Sequence, residues 1–473
     1  MKICLLNDSF PPVIDGVANV IKSYADVLAA EKVHDVIVGT PVYPDAGYEK
    51  HPYPIITYPS LDVTALTAGY RTGYPFPVKE IAEMTQFAPD IIHTHCPIVS
   101  CFIARSLREA SGAPVVFTYH TKYDIDIRRT IPVPQLQKES IRALVNNVSA
   151  CDDVWAVSHG AADNLRSLGY EGNVIVMPNG VDFARGRQSE DYIEKLNREY
   201  DLPADVPVFL FVGRIMNYKG LPLILNALRV LKDEGKAFRM VFVGDGADRK
   251  PLIKKAEEYG FTVYVKEESG ITKTGDGDAV ILFAGAERSR EMLRAWNTRA
   301  DLFVFPSTFD TNGLVVREAA ACGLASVLIK DSCAAEGVTD GRNGYLVEEN
   351  YESLAQQLIW ACGHMEELHT AGENAMNEIY LSWADAVHLA EKRYAEVLDL
   401  KKAGRLPEHR KLADDPLFEM TADAVHRYIE THTYTMPHYE GMLENFEETL
   451  RGNQQILEDI LRELKEGFFP HGS

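Results

Sequence analysis

Short apolar runs alternate with amphipathic stretches along residues 1–188. The run KICLL is followed by a loop with Pro and Gly, PPVIDG, and then by VANVIKSYADVLAAE, whose apolar positions recur with helical spacing. The same alternation returns around VHDVIVGT, PDIIHTH, APVVFTYHT, DDVWAVS and NVIVMP. Short apolar runs are typical of buried strands, and strands that alternate with helices predict a parallel sheet covered on both faces.

A charged stretch, SEDYIEKLNREYDLPAD, interrupts this alternation, which restarts with VPVFLFVG, LPLILNALRVLKDEG and RMVFVGDG and continues to about Leu381. We therefore predict an α/β protein with two Rossmann-like, doubly wound domains, residues 1–188 and 206–381. Ligands of such sheets bind outside the carboxyl ends of the strands. Functional residues are expected in the loops that face the cleft between the two domains.

The chain continues beyond the second domain with helical patterns. Residues 382–403 form one, and residues 404–473 contain a polar break followed by two more, which start near Thr421 and Tyr439. In the last pattern one apolar stripe is predicted, made of Leu443, Phe446, Leu450, Leu457, Ile460, Leu461 and Leu464. We expect the stripe to dock onto the chain's own body, and a homodimer contact is the alternative.

The amino-acid composition argues against some classes of binding partner and indicates the cellular compartment. The formal net charge of −21 argues against nucleic acid, which requires basic surfaces, and weakens a case for broad adhesion to anionic membranes. The seven cysteines are scattered and contain no C-x-x-C pair, so reduced thiols are expected rather than disulfides or a cysteine zinc site. Asn7 and Asp8 interrupt the first apolar run, and no signal peptide or membrane span is predicted. We expect a cytoplasmic protein.

Two motifs follow predicted strands of the second domain. The first, VGRIMNYKG, offers the cations Arg214 and Lys219, and fixed cations in a dry cleft stabilise a departing diphosphate. The second, PSTFDTNGLVVREAAACG, offers the carboxylates Asp310 and Glu318 on either side of a turn that opens a helix. Main-chain N–H groups at such a helix start, those of Gly313, Leu314 and Val315, are typical of a phosphate cradle.

Taken together, GRIMNYKG and FDTNGLVVREAAACG resemble the signature of glycosyltransferase family 4, whose members are retaining enzymes of the GT-B fold. Further marks agree in the family's order: PPVIDGVANVI, PDIIHTH, VVFTYHTKY, PNGVD, ADLFVFPS, DGRNGYLV and SWADA, which opens a helix returning to the first domain. The resemblance spans about Met1 to Leu398. It implies a nucleotide diphosphate sugar as donor and a hydroxyl as acceptor.

The resemblance also assigns roles to residues. It places Arg214 and Lys219 on the donor diphosphate, Glu318 on the ribose hydroxyls, and Asp310 on the transferred sugar, where the family usually has Glu. Gly16 would allow the main chain to approach the donor phosphates, since a Cβ there would collide with them. The predicted donor-binding set is completed by Asn312, Gly313, Leu314 and Val315.

His120 is similar to the family histidine that reaches the transferred sugar, so the predicted catalytic set is Arg214, Lys219, His120 and Asp310. The predicted acceptor region comprises His95, Tyr119, Lys122 and Tyr123. His93, His95 and Cys96 suggest a metal site, and the two histidines share one face of a strand, but no carboxylate or third ligand stands at a usable offset from them. The resemblance implies no cofactor and no metal, because the Arg and Lys pair takes the place of a cation.

The resemblance implies transfer with retention by front-face attack, without a protein nucleophile. TYHTKYDIDIRR and the DTNG turn resemble the branch that glucosylates diacylglycerol, which favours UDP-glucose or a similar donor and a lipid acceptor at the inner face of the cell membrane. A basic cluster on the first domain would support peripheral membrane contact: Arg105, Arg108, Lys122, Arg128, Arg129, Lys138 and Arg142. A soluble sugar, polyol or natural product is the alternative acceptor. A sugar-nucleotide epimerase and a non-catalytic sugar-nucleotide-binding protein are the rival functions.

Overall fold

The computed structural model describes residues 1–13, 15–44, 46–62, 71–131, 133–407 and 415–431. Its N-terminal domain is built on a parallel sheet of seven strands in the order β3-β2-β1-β6-β7-β8-β9. The strands, with a small antiparallel pair β4 and β5, are β1 (Lys2–Leu6), β2 (Asp35–Pro41), β3 (Ile55–Tyr58), β4 (Ser60–Asp62), β5 (Arg71–Gly73), β6 (Ile91–Thr94), β7 (Val115–Tyr119), β8 (Asp153–Ala156) and β9 (Ile175–Val176). The helices between them are α1 (Gly16–Ala30), α2 (Val78–Gln86), α3 (Val99–Ser111), α4 (Tyr123–Thr130), α5 (Pro134–Ser149) and α6 (His159–Ser167).

The C-terminal domain contains an eight-stranded sheet in the order β13-β12-β14-β11-β10-β15-β16-β17, in which β13 alone is antiparallel to its neighbour. Its strands are β10 (Val208–Val212), β11 (Phe238–Val243), β12 (Thr262–Glu267), β13 (Gly270–Thr274), β14 (Ala279–Gly285), β15 (Leu302–Phe305), β16 (Ser326–Ile329) and β17 (Tyr345–Val347). The helices are α7 (Glu190–Tyr200), α8 (Leu221–Asp233), α9 (Arg249–Glu258), α10 (Arg290–Arg299), α11 (Leu314–Ala321), α12 (Tyr351–Ala361) and α13 (Met365–Glu378).

This architecture is the predicted pair of Rossmann-like domains, and the structural comparisons given below confirm it. The first sheet ends at Val176 and the second begins at Val208. The predicted boundaries at residues 188 and 206 fall within that interval and stay a prediction. The sequence did not predict the hairpin of β12 and β13 or the pair β4 and β5.

The core strands are mostly apolar because helices cover both faces of each sheet. In β1, alternate side chains pack into two separate cores: Cys4 and Leu6 lie on one side, and Ile3 and Leu5 on the other. The second core is completed by α14 (Trp383–Lys402), which packs against α1. Helix α14, which lies within the predicted helical segment 382–403, therefore packs on the N-terminal domain.

A last described helix, α15 (Asp415–Thr431), packs on α2 and α3 and starts six residues before the predicted Thr421. Its Phe418 ring is 2% exposed, stacks on Phe102 and lies 3.8 Å from the guanidinium carbon of Arg105. The predicted last helix and its apolar stripe, residues 443–464, lie outside the described residues. The homodimer prediction that rested on them stays untested.

Two members of the predicted basic cluster lie inside the protein. Arg105 is 1% exposed and bonds Asn147 and Asp415, and Arg108 bonds the main-chain oxygen of Ala150. The prediction was wrong for these two because the helical spacing of α3 turns both side chains inward, under elements that are distant in sequence. The remaining members of the cluster belong to the region of α4 and α5.

Replacement of Phe418 tests the docking of α15. Phe418→Ala should lower the free energy of unfolding by about 3 kcal/mol, because it removes a buried ring and leaves a cavity beside Arg105. Met420→Ala on the same helix is the control, since Met420 is 51% exposed. Calorimetric unfolding of both variants measures the difference. Equal stability of the two variants would contradict the docked position of α15.

Candidate functional site

The loops that follow the strands of both sheets meet between the two domains. Thr311, after β15, donates from Oγ1 to the main-chain oxygen of His120, after β7, at 2.6 Å. Lys122 Nζ reaches the main-chain oxygen of Thr308 at 3.4 Å. The carboxyl ends of the two sheets therefore face each other, which is where ligands of such sheets bind.

Lys219 is placed by a turn that requires glycine. It ends the short 3-10 turn Asn217–Lys219, and Gly220 follows with φ +79. A Cβ on Gly220 would lie 2.3 Å from the main-chain oxygen of Pro306, so only glycine allows the two loops to approach this closely. As a result Lys219 lies against the loop that carries Asp310.

Lys219 and Asp310 form an ion pair, with Nζ 2.5 Å from Oδ1. The other carboxylate oxygen, Oδ2, accepts from Ser307 Oγ at 2.5 Å. The side chains of Lys219 and Asp310 are only 14% and 24% exposed, and Ser307 is fully buried. The predicted sugar-binding carboxylate thus accepts a hydrogen bond on each oxygen from within its own domain.

Arg214 has a different environment, although it comes from the same motif. It follows β10 and is exposed. Within the described part of the chain, no hydrogen bond or ion pair involves its guanidinium group. The site therefore offers one cation that is free to meet an anion and one that is already paired.

The second motif places a helix start beside these cations. Gly313 has φ +55 and caps α11, whose first residues are the predicted Leu314 and Val315. Main-chain N–H groups in the first turn of a helix have no partner within the helix and favour anions. The Asn312 side chain, with its amide oriented to satisfy both groups, donates to the main-chain oxygen of Val157 and accepts from Asn179, both at 3.2 Å. It therefore links the two domains.

Glu318, on α11, is 16% exposed and accepts from Arg290 Nη2 at 3.0 Å. Burial raises the pKa of Glu318, and the Arg290 charge partly offsets the increase. Arg290 also pairs with Asp182, in the segment that joins the domains, and lies over the Phe183 ring. The sequence did not predict roles for Arg290 or Ser307, because Arg290 lies outside the two motifs and Ser307 is an uncharged residue within the second. Their contacts become visible only in the side-chain packing.

The predicted histidine is part of a buried pair. His120 is 5% exposed, and its Nε2 lies 2.9 Å from Nδ1 of the fully buried His95. The remaining ring nitrogens, His120 Nδ1 and His95 Nε2, are buried without a partner among the described residues. Burial lowers the pKa of His120 to about 3, so the ring is neutral at physiological pH. It can bond a hydroxyl but cannot supply a positive charge.

The predicted acceptor region divides into two parts. Tyr119 is fully buried, and its hydroxyl donates to Asn164 at 2.7 Å, so the prediction that it contacts an acceptor is corrected: it belongs to the core. His95 is equally buried and reaches the site only through His120. Lys122 and Tyr123 retain partial exposure at the edge of the cleft.

The geometry does not favour a metal site at His93, His95 and Cys96. Both ring nitrogens of His93 are occupied, Nδ1 by the Tyr394 hydroxyl at 2.6 Å and Nε2 by Thr118 Oγ1 at 2.7 Å. Among the described residues, a group with metal-ligand geometry is formed by Glu31, His388 and Glu391. It lies at the carboxyl end of α1, whose other end faces the cleft about 22 Å away. This group is not part of the candidate site.

Gly16 is the first residue of α1, whose start is capped by Asp15 through bonds to the N–H groups of Val17 and Ala18. A Cβ on Gly16 would meet no protein atom within 4 Å. Any steric need for glycine at this position must therefore come from a bound ligand. The predicted approach to donor phosphates stays a prediction.

The neutral state of His120 should make stability depend on pH. As the pH falls below 6.5, the unfolded chain protonates this histidine while the folded protein does not until about pH 3, so stability is lost with falling pH. His120→Gln should reduce that loss by up to about 1.4 kcal/mol per pH unit. Urea unfolding from pH 7 to pH 4.5 measures it, with the exposed His369→Gln as control. Equal pH slopes for wild type and His120→Gln would disprove the neutral assignment.

Comparison with known proteins identifies the family. A family model described as Glycosyltransferase Family 4 matches residues 14–185, and one described as Glycosyl transferases group 1 matches residues 193–378. The chain is 22% identical over 407 residues to the alpha-monoglucosyldiacylglycerol synthase of Acholeplasma laidlawii, with 82% of this chain and 97% of that protein covered. It is 24% identical over 427 residues to a GDP-mannose-dependent alpha-mannosyltransferase of Corynebacterium glutamicum, with 86% and 91% covered.

Solved structures agree with the fold. The Anabaena protein HepE in complex with UDP is 19% identical, with a TM-score of 0.62 over 84% of this chain and 100% of that one. Its complex with UDP-glucose gives a TM-score of 0.58 at 21% identity, over 84% and 99% of the two chains. The two family models, the relatives matched across both domains and the shared architecture lead to one conclusion: the chain belongs to glycosyltransferase family 4 and has the GT-B fold.

Proposed function

We propose that this chain is a retaining, metal-independent hexosyltransferase that moves a sugar from a nucleotide diphosphate donor to an acceptor hydroxyl. The observation that carries the proposal is the convergence of Arg214, Lys219 and the start of α11 at the carboxyl edge of the second sheet. Two cations and a set of main-chain N–H groups suit a diphosphate. Glu318, one turn further along α11, suits the ribose hydroxyls.

The same geometry supports a mechanism based on charge. The bond from the sugar to the diphosphate breaks, and Arg214 and Lys219 stabilise the negative charge that develops on the leaving oxygen. That oxygen accepts the proton of the acceptor hydroxyl, which attacks on the same face. Neutral His120 positions the sugar by a hydrogen bond. No protein nucleophile takes part, so positioning and charge stabilisation carry the rate.

For the donor we propose UDP-glucose or a similar UDP-sugar. The HepE complexes contain UDP and UDP-glucose, and the Acholeplasma relative is named an alpha-monoglucosyldiacylglycerol synthase. GDP-mannose is the second candidate, because the Corynebacterium relative is named for it.

For the acceptor we propose a lipid hydroxyl, presented while the region of α4 and α5 contacts a membrane surface. A groove of about 480 Å³ there is lined by Arg128, Lys138 and Arg142 together with Ile141 and Leu168. Val133 and Leu136 beside it are 45% and 56% exposed. Among the described residues no helix is long and apolar enough to cross a bilayer. A soluble sugar, polyol or natural product is the alternative acceptor.

Nucleotide release distinguishes the functions. The purified chain is incubated in excess EDTA with UDP-glucose or GDP-mannose, with and without vesicles that contain diacylglycerol. A transferase releases nucleotide in proportion to the acceptor, whereas an epimerase or a binding protein releases none at steady state. Activity that disappears in EDTA and returns with Mg²⁺ or Mn²⁺ would refute metal independence.

The two cations should be required for turnover. Arg214→Ala and Lys219→Ala should each lower kcat by roughly 100-fold or more, because each removes a group that stabilises charge in the transition state. Arg229→Ala is the control, since Arg229 on α8 is 56% exposed and pairs with Asp233, away from the two motifs. Circular dichroism checks that all variants fold. Near-normal turnover of both site variants would remove the diphosphate assignment.

The length of the carboxylate at position 310 should influence the choice of sugar. Asp310→Glu should keep nucleotide affinity, because Glu318 and Arg214 are untouched, but should change the ranking of donor sugars. A mismatched hydroxyl pattern costs roughly 1 to 3 kcal/mol for each group left unpaired. The ratio of kcat/KM values across several UDP-sugars measures the change, with Asp248→Glu as control. Unchanged ratios and rates would show that Asp310 does not touch the sugar.

A further inference from the structure

We propose that Asp310 holds Lys219 in the free protein and releases it to the diphosphate when the donor binds, so that the protein distinguishes the donor from the nucleotide product. The inference rests on the proposed function and assigns Ser307 as the residue that positions Asp310 for this exchange. It starts from the ion pair of Lys219 and Asp310 and the Ser307 bond to the second carboxylate oxygen.

The ion pair leaves Lys219 already neutralised before a ligand arrives. The Nζ atom is 2.5 Å from Asp310 Oδ1, in a side chain only 14% exposed. Lys219 also lies beside the rings of Tyr218 and Phe305, each 5.7 Å from Nζ, so much of its remaining surroundings are aromatic. A diphosphate must compete with Asp310 for this ammonium group. Arg214 forms no such ion pair with any residue that the structure describes.

Ser307 determines what Asp310 can do after the exchange. Its Oγ donates to Oδ2 at 2.5 Å, and the serine is fully buried after β15. Because one carboxylate oxygen is fixed, Asp310 does not follow Lys219 towards the phosphates. Oδ1 then lies near the diphosphate without its cation, and an ionised group left unpaired at a partly buried position is costly.

A sugar hydroxyl that donates to Oδ1 removes this cost. UDP-glucose would supply such a hydroxyl, whereas UDP brings the same phosphate charge without it. The exchange therefore weakens the binding of the product relative to the donor, which favours product release. The preference for donor over product follows from the pairing of Lys219 with Asp310, and it requires no metal ion and no second conformation of the loop.

Calorimetric titration tests the exchange with three probes: inorganic pyrophosphate, UDP and UDP-glucose. In Asp310→Asn, pyrophosphate and UDP should bind about tenfold more tightly than in wild type, as expected for one charge-assisted bond, while UDP-glucose should change by less than about threefold. Asp310→Asn thus reduces the preference for UDP-glucose over UDP. Ser307→Ala should also reduce it, because Asp310 can then turn away from the sugar. Thr308→Ala is the matched control for Ser307.

A second control separates the exchange from a general charge effect. Asp248 accepts a hydrogen bond from the N–H of Asn217 at 2.7 Å. Asn217 lies two residues before Lys219, and Lys219 pairs with Asp310 rather than with Asp248. Asp248→Asn removes the same charge and should alter the affinities for UDP and UDP-glucose equally. If Asp310→Asn also alters them equally, the exchange is wrong and the proposed function stands. If wild type binds neither nucleotides nor GDP-mannose, the proposed function fails, and the exchange with it.

Discussion

The close approach of two loops at Gly220 is the constraint on which the candidate site depends. Its positive φ ends the turn after Lys219, and the missing Cβ allows contact with the main chain of Pro306. Everything that the site does with charge follows from this contact, because it brings the cation of the first motif to the carboxylate of the second. A larger residue would separate them by pushing on main chain, which cannot yield as a flexible side chain can.

A second set of contacts holds the two domains together around the site. Glu336, after β16, accepts from the N–H groups of His159 and Gly160 at 2.8 and 2.7 Å and so caps α6 of the other domain. A Cβ on Gly160 would lie 2.4 Å from Cys333 Sγ. A carboxylate at a helix start is favourable both as a hydrogen-bond acceptor and through the helix dipole. These contacts fix the relative position of the loops that form the site.

The sequence predicted the features that depend on local periodicity and on motifs that stand together in the chain. Strands such as β10 and β15 are short apolar runs, and the cations of the first motif and Asp310 of the second follow their carboxyl ends. The sequence could not predict side-chain contacts between residues that are distant in the chain. The bond of Ser307 to Asp310, the pairing of His95 with His120, and the helix over Arg105 all depend on three-dimensional packing. The same limit explains Tyr119, whose place in a motif gave no sign that its hydroxyl faces Asn164.

The large negative charge of the chain and a diphosphate ligand can coexist because the two act over different distances. At physiological ionic strength, exposed charges are screened beyond about 8 Å, so most of the net charge of −21 has little effect inside the cleft. Within the cleft, burial weakens the screening, and the local balance of Arg214, Lys219 and Asp310 decides affinity. In the free protein this balance is one cation above neutrality, and it keeps that value when Lys219 leaves Asp310 for the phosphates, because Asp310 stays ionised and the sugar hydroxyl that takes the place of Lys219 is neutral. Donor binding therefore breaks a single ion pair. The free-energy cost depends on whether the incoming sugar supplies a hydroxyl to Asp310, rather than on the charge of the whole surface.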